Sequence, residues 1–301
     1  MPKRDFLTLS DLSKEELEGL LLRAIKLKQE RSSNIIHNSL AGKTGILILA
    51  QNSTRTRIAF EAGMNQLGGH SLFLSDKDSQ ASRGEPLEDF ARVVSEMADI
   101  VMTRQPEQKS IELLAKHASI PVINGMSSEL HPCQLLADMQ TFLELKGSIE
   151  GCSVAFIGDG FNMCNSYIEA SKIFQFKLNI ASPKGFEPAS SFLTMSSNAE
   201  LYSSVEDAVK GVDLVVTDVW SSMDQTNKDT DKIEAFQPYQ VNEQLLDLSD
   251  EDAIFMHCLP AHRGEEISAG LLDHKKSVVW QEAGNRLHTQ KALLEFLLKP
   301  V

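Results

Sequence analysis

Gly45-Ile-Leu-Ile-Leu-Ala50 is followed by Ser53-Thr-Arg-Thr-Arg57 and then by a helical pattern from Ile58 to Leu67. An apolar run of this length, with no polar alternation, reads as a strand covered on both faces, which is the environment of a parallel sheet. The same unit recurs on either side. Ser71–Leu74, Ile100–Thr103 and Pro121–Ile123 read as strands, with helical stretches near 55–67, 87–98 and 108–117 between them. Before them, Ser13-Lys-Glu-Glu16 has the form of a capping box, and Leu17, Leu20, Leu21, Ala24 and Ile25 follow at helical spacing. A second strand series starts at Cys152–Ile157 and continues through Lys177–Ala181, Asp213–Thr217, Ala253–Met256 and Ser277–Trp280. Alternation of this kind predicts an α/β protein of two domains, each a parallel-sheet sandwich, linked by long helices. The boundaries expected are 1–133, joined by a C-terminal helix at 286–301, a linking helix at 134–147 ending at Gly147, and 148–285.

Length and composition agree. The chain has 301 residues, enough for two domains, with 42% hydrophobic and 24% charged residues, close to the globular average. Asp and Glu number 42 against 29 Lys and Arg, a net charge of -13, which repels polyanions and argues against nucleic acid or an anionic membrane as a partner. No run approaches the roughly 18 apolar residues of a membrane span, and MPKRDFLTLS lacks the apolar stretch of a signal peptide. The four cysteines, Cys133, Cys152, Cys164 and Cys258, form no CxxC pair, so a reducing cytoplasm is the default expectation. Residues 221–237 are polar and aperiodic. At about 17 residues this exceeds an ordinary connection.

Several short runs carry chemistry. Ser53–Arg57 stands where a helix N-terminus offers unpaired N–H groups, and hydroxyls and a guanidinium add donors; it reads either as a phosphate cradle or as an N-cap with surface arginines. Arg104 follows a strand, where the carboxyl edge of an open sheet faces a ligand crevice. His131-Pro-Cys-Gln134 opens the linking helix, and its His and Gln can donate to a carbonyl or phosphate oxygen or serve structural roles. His257, Cys258 and His262 fall close together, but their spacing would not by itself close a tetrahedral metal site. Gly158-Asp-Gly-Phe-Asn-Met163 is a weak likeness of a dinucleotide fingerprint, with Met163 where the third glycine would stand.

Taken together, Ser53–Arg57, Arg104, His131–Gln134, Gly158–Asn162, Asp218-Val-Trp-Ser-Ser-Met223, His257-Cys-Leu-Pro260 and Glu282-Ala-Gly-Asn-Arg-Leu-His288 resemble the aspartate/ornithine carbamoyltransferase family from end to end. Cys133 and His257–Pro260 take the form of its ornithine branch. The resemblance implies attack by the δ-amine of ornithine on carbamoyl phosphate, giving citrulline and phosphate, with no covalent intermediate, no metal and no organic cofactor. It implies carbamoyl phosphate binding by Ser53, Thr54, Arg55, Thr56, Gln80, Arg104, His131, Gln134, Cys258, Leu259 and Arg286, and ornithine binding by Asn162, Asp218, Ser222 and Met223. Arg55, Arg104, His131, Asp218 and Cys258 are the residues implied in catalysis. A homotrimer, or a multiple of trimers, with Gln80 reaching a neighbouring subunit's site, is implied as well, in a cytoplasmic enzyme of arginine metabolism. Two positions depart from the family pattern. Asp224 follows Met223 where glycine is usual, and Phe161 precedes Asn162 where asparagine is more common. The rival readings are carbamoyl transfer to another amine such as putrescine, acetylornithine or aspartate, a binding protein without turnover, and a dinucleotide-dependent oxidoreductase.

Overall fold

The computed structural model describes residues 3–50, 53–75, 84–220 and 230–298. The chain forms two units, Met1–Gln140 with Gly284–Val301, and Thr141–Ala283.

In the first unit, Ser13 caps α1 (Lys14–Ser32): its side chain accepts from Glu16 N while Glu16 returns a bond to Ser13 N, the capping box read from the sequence. Then follow β1 (Thr44–Leu49), α2 (Thr54–Gln66), β2 (His70–Ser75), α3 (Leu87–Ser95), β3 (Ile100–Arg104), α4 (Gln108–His117) and β4 (Val122–Met126). Every pairing in the sheet is parallel, in the order β2-β1-β3-β4. Five consecutive residues of β1 are buried, as expected of a strand covered on both faces. Ile46 and Ile48 project to one of those faces and join Phe90, Val94, Val101, Ile111, Leu114 and Val122 in one core. Burial of each such side chain contributes about 1.5–3 kcal/mol, far more than helix propensity can, so this packing holds α3 and α4 in place. The linking helix α5 (Pro132–Lys146) starts on a proline, whose missing N–H is no loss in a first turn, and ends at Gly147 with φ +84°.

The second unit contains β5 (Ser153–Ile157), α6 (Asn162–Phe174), β6 (Lys177–Ala181), α7 (Ser190–Leu193), β7 (Ala199–Leu201), α8 (Val205–Val209), β8 (Leu214–Thr217), α9 (Thr230–Phe236), α10 (Glu243–Leu246) and β9 (Ile254–His257). Its sheet is again all parallel, ordered β7-β6-β5-β8-β9. The final helix, α11 (Val279–Leu298), begins in this unit and ends in the first.

Several elements differ from the sequence reading, among them α9 (Thr230–Phe236), which lies within the stretch 221–237 read as polar and aperiodic, and α11, which starts at Val279 ahead of the expected 286. Ser277–Trp280 is not a strand: Phe255 N bonds Lys276 O, Val278 N bonds Phe255 O, and the chain then enters α11 at Val279. The β-branched pair Val278-Val279 favoured a strand, but Val279 is buried in the core beside Val241, Leu245 and Phe255. The three-residue β7 went unrecognised because it carries no apolar run and its residues are largely exposed.

Candidate active site

Each sheet has one point where the chain leaves in opposite directions from neighbouring strands, and in open α/β sheets ligands bind outside the strand carboxyl ends at that point. In the first unit it lies between β1 and β3, where Leu49 is paired with Arg104. Ser53 caps α2, its hydroxyl accepting from Thr56 N at 3.4 Å, and Thr54, Arg55 and Thr56 form a first turn that contains no acidic residue. Arg286, on α11, donates to Gln134 Oε1 at 2.6 Å and to Thr56 Oγ1 at 3.2 Å, so one guanidinium ties α2, α5 and α11 together. Gln134 can present its carbonyl to Arg286 because its amide donates to Asp138 Oδ1 at 2.9 Å. Thr56, Arg104, His131, Gln134 and Arg286 are all buried.

Burial, and then the charges of Arg286, Arg104 and Arg55, hold the His131 imidazole well below its ordinary range. At neutral pH it is therefore uncharged, with one N–H to donate. Three guanidinium charges, a helix N-terminus and a neutral imidazole make a site for a compact anion such as a phosphate. Cys133, in the same run as His131, is structural: burial pushes its thiol up to about 12, and it donates to Asn124 O at 3.3 Å.

In the second unit the switch point lies between β5 and β8, with Ile157 beside Thr217 and Thr217 beside His257. The residues just past these three strands are Gly158-Asp-Gly160, Asp218 and Cys258. Asp218 Oδ1 accepts from Val219 N at 2.8 Å and from the Cys258 thiol at 3.1 Å. Asn162 is the first residue of α6 and is buried. The glycines before it have packing reasons. A Cβ on Gly160 would lie 2.1 Å from Pro188 N and 2.4 Å from Glu187 C, and Gly158 has φ +132°. This accounts for the Gly-x-Gly spacing without a dinucleotide.

His257 organises the segment that carries Cys258. Its backbone N donates to Glu282 Oε2 at 2.9 Å, and its Nδ1 accepts from Leu259 N at 2.9 Å. Because that N–H can only donate, Nδ1 is the acceptor and Nε2 carries the proton, which is given to Glu266 Oε1 at 3.1 Å. Leu259 itself has φ +55°, a left-handed conformation that leucine rarely adopts. The donor atoms of Asp218, His257 and Cys258 lie within 4.8 Å of one another, yet both ring nitrogens of His257 are engaged within the protein and the thiol is engaged by Asp218.

Comparison with known proteins identifies the family. Residues 4–144 match the carbamoyl-P binding domain of aspartate/ornithine carbamoyltransferases, and residues 150–297 match their Asp/Orn binding domain. The chain belongs to the aspartate/ornithine carbamoyltransferase family. An ornithine carbamoyltransferase of Acinetobacter baumannii is 56% identical over 299 residues, covering 99% of this chain and 98% of that relative. The solved ornithine carbamoyltransferase of Pyrococcus furiosus superposes with a TM-score of 0.95 at 41% identity, covering 99% and 98% of the two chains. That of Burkholderia thailandensis gives 0.91 at 44% identity, covering 98% of each.

For this carbamoyltransferase, the structure gathers Ser53, Thr54, Arg55, Thr56, Arg104, His131, Gln134 and Arg286 at one sheet's switch point. Asn162, Asp218, Cys258 and Leu259 lie at the other's. Gln80, Ser222, Met223 and Asp224 lie outside the described residues. Partners that the sequence reading missed are Glu266 and Glu282, which hold His257, and Lys232, which pairs with Asp159 at 2.7 Å. Glu282 opens the run Glu282–His288 and Glu266 lies nine residues beyond His257, but nothing in their spacing marks either as a partner of His257. Lys232 lies within the polar stretch 221–237, where no periodicity distinguishes one charged residue from another.

Proposed function

We infer that this protein transfers the carbamoyl group of carbamoyl phosphate to the δ-amine of L-ornithine, giving L-citrulline and phosphate. The observation that carries the reading is the pairing of two chemistries within one chain. One switch point offers an anion site of three arginines around a neutral histidine, and the other offers Asp218, with Cys258 donating to it, as a counter-charge for an ammonium. The relatives named ornithine carbamoyltransferase, similar over the full chain, support the same assignment.

The proposed roles follow from the chemistry. Ser53, Thr54, Arg55 and Thr56 receive the phosphate, with Gln134 orienting Arg286 and with Gln80, Cys258 and Leu259 completing the carbamoyl phosphate site. The neutral δ-amine attacks the carbamoyl carbon: the C–N bond forms, the C–O bond to phosphate breaks, and the nitrogen loses a proton. As negative charge develops on the carbonyl oxygen and the leaving phosphate, Thr56, Arg104, His131 and Arg286 donate to it. Each such donor is worth about 2.7–4 kcal/mol in other enzymes. Asn162, Asp218, Ser222 and Met223 hold the α-amino-carboxylate, and the Cys258–Asp218 pair stands where the amine loses its proton. No step in this chemistry calls for a metal or an organic cofactor. Residues 1–133 with 286–301 would bind carbamoyl phosphate and 148–285 ornithine, linked through 134–147.

A homotrimer, a cytoplasmic location and a role in arginine biosynthesis complete the proposal. Among the described residues no helix is long and apolar enough to cross a membrane. The test is carbamoylation of ornithine, putrescine, acetylornithine and aspartate in parallel. A clear preference for ornithine supports the reading. Preference for another amine overturns the acceptor assignment, and tight carbamoyl phosphate binding without turnover of any acceptor overturns the catalytic one.

A further inference from the structure

The acceptor unit holds a second carboxylate that the proposed reaction does not use. Asp159 follows β5 after Gly158, and Asp218 follows β8, whose last residue Thr217 is paired with Ile157 at the end of β5. Burial pushes the Asp159 carboxyl above its usual value, Lys232 pulls it back, and the negative charge of Asp218 pushes it up again. Asp159 therefore senses the charge of Asp218. Lys232 reaches Asp159 from α9 at 2.7 Å, with both side chains mostly buried. Its ammonium also lies 5.3 Å from the ring centroids of both Phe186 and Phe236, which meet edge to face at 4.9 Å. Phe186 is fixed in turn, because its carbonyl accepts from Gly160 N at 2.8 Å. An ammonium held between two rings and a carboxylate is restricted in place, unlike a lysine on a solvated surface.

Charge counting gives this pair a function. At the moment of attack ornithine carries an α-ammonium, an α-carboxylate and a neutral δ-amine, a net charge of zero, whereas a simple diamine carries one ammonium and no carboxylate. Asp159, Asp218 and Lys232 together carry one net negative charge. Without Lys232 they would carry two, a field that repels the α-carboxylate of ornithine and attracts a diamine. We propose that Lys232, by pairing with Asp159 beside Asp218, is a specificity-determining residue that favours an α-amino acid over a diamine as the carbamoyl acceptor. This inference rests on the ornithine reading above.

The experiment measures kcat/KM for ornithine and for putrescine at alkaline pH, where the acceptor amines lose their protons, in the wild-type enzyme and four variants. Lys232→Met, with the second carboxylate uncompensated, is expected to raise the putrescine-to-ornithine ratio about tenfold, the effect of one unit charge at short range in a partly solvated site. Asp159→Asn, which removes one negative charge beside Asp218, should lower it. The double variant Lys232→Met/Asp159→Asn restores the charge count and should return the ratio toward the wild-type value. Lys232→Arg should stay near wild type. A purely structural role would lower both activities together in Lys232→Met and leave the ratio unchanged, and that result overturns the proposal. So does a double variant as altered as Lys232→Met. Failure of the wild-type enzyme to carbamoylate ornithine would instead overturn the functional reading on which the inference rests, and it is seen in the same plate.

Discussion

At the scale of single residues, surroundings decide what each side chain can do. His131 is buried among Arg286, Arg104 and Arg55, and its imidazole is held well below its ordinary value, so folded protein resists its protonation. The unfolded chain takes up that proton as pH falls through about 6.5, and the folded chain does not. Stability is thus lost on acidification, by up to about 1.4 kcal/mol per pH unit below that point, and His131 contributes nothing to the slope above it. Urea unfolding between about pH 7 and pH 5 should therefore show a shallower acid loss for His131→Asn than for the wild type. Equal slopes would mean that His131 accepts a proton in the folded state. Cys258 makes a different prediction, because its thiol donates to Asp218. If that pair assists proton loss from the acceptor amine, Cys258→Ala lowers kcat about 10²-fold or more and changes the pH profile of kcat, the effect typical of losing a general acid–base group. Unchanged turnover with an unchanged profile removes Cys258 from the proton path.

At the scale of elements, two glycines should respond in opposite ways. Gly160 has the backbone of Glu187 and Pro188 against the place of a Cβ, so Gly160→Ala must shift main chain and should cost about 1–3 kcal/mol, read as a lowered Tm. Gly19 lies exposed within α1 with nothing near its missing side chain, so Gly19→Ala should stabilise by up to about 1 kcal/mol. The sequence made most of these elements legible because strands buried on both faces read as unbroken apolar runs, as in Ile46–Leu49. It also set Ser53–Arg57 after one such run, at the start of a helix, and Arg104 at the end of another, which is where α2 begins and β3 ends. What it hid was tertiary. Val278-Val279 looks like a strand until the neighbouring core claims Val279, β7 is too short and exposed to leave a pattern, and no local signal links His257 to Glu266 or Asp159 to Lys232.

At the scale of the whole molecule, the proposed trimer would share its sites between subunits, with Gln80 of one chain completing the site that contains Arg55 of another. Arg55→Ala and Gln80→Ala homotrimers should then each be weak. Dissociating and mixing the two chains should recover activity, because some interfaces in a hybrid pair an intact Arg55 with an intact Gln80. No recovery after verified mixing would place Gln80 outside its neighbour's site. The central claim, direct carbamoyl transfer from carbamoyl phosphate to ornithine, is tested most directly by stoichiometry. Citrulline and inorganic phosphate should be followed together in one reaction, and the account predicts that they appear in equal amounts, with release of both depending on ornithine. Phosphate released without citrulline, or neither product formed while both substrates bind, would contradict it.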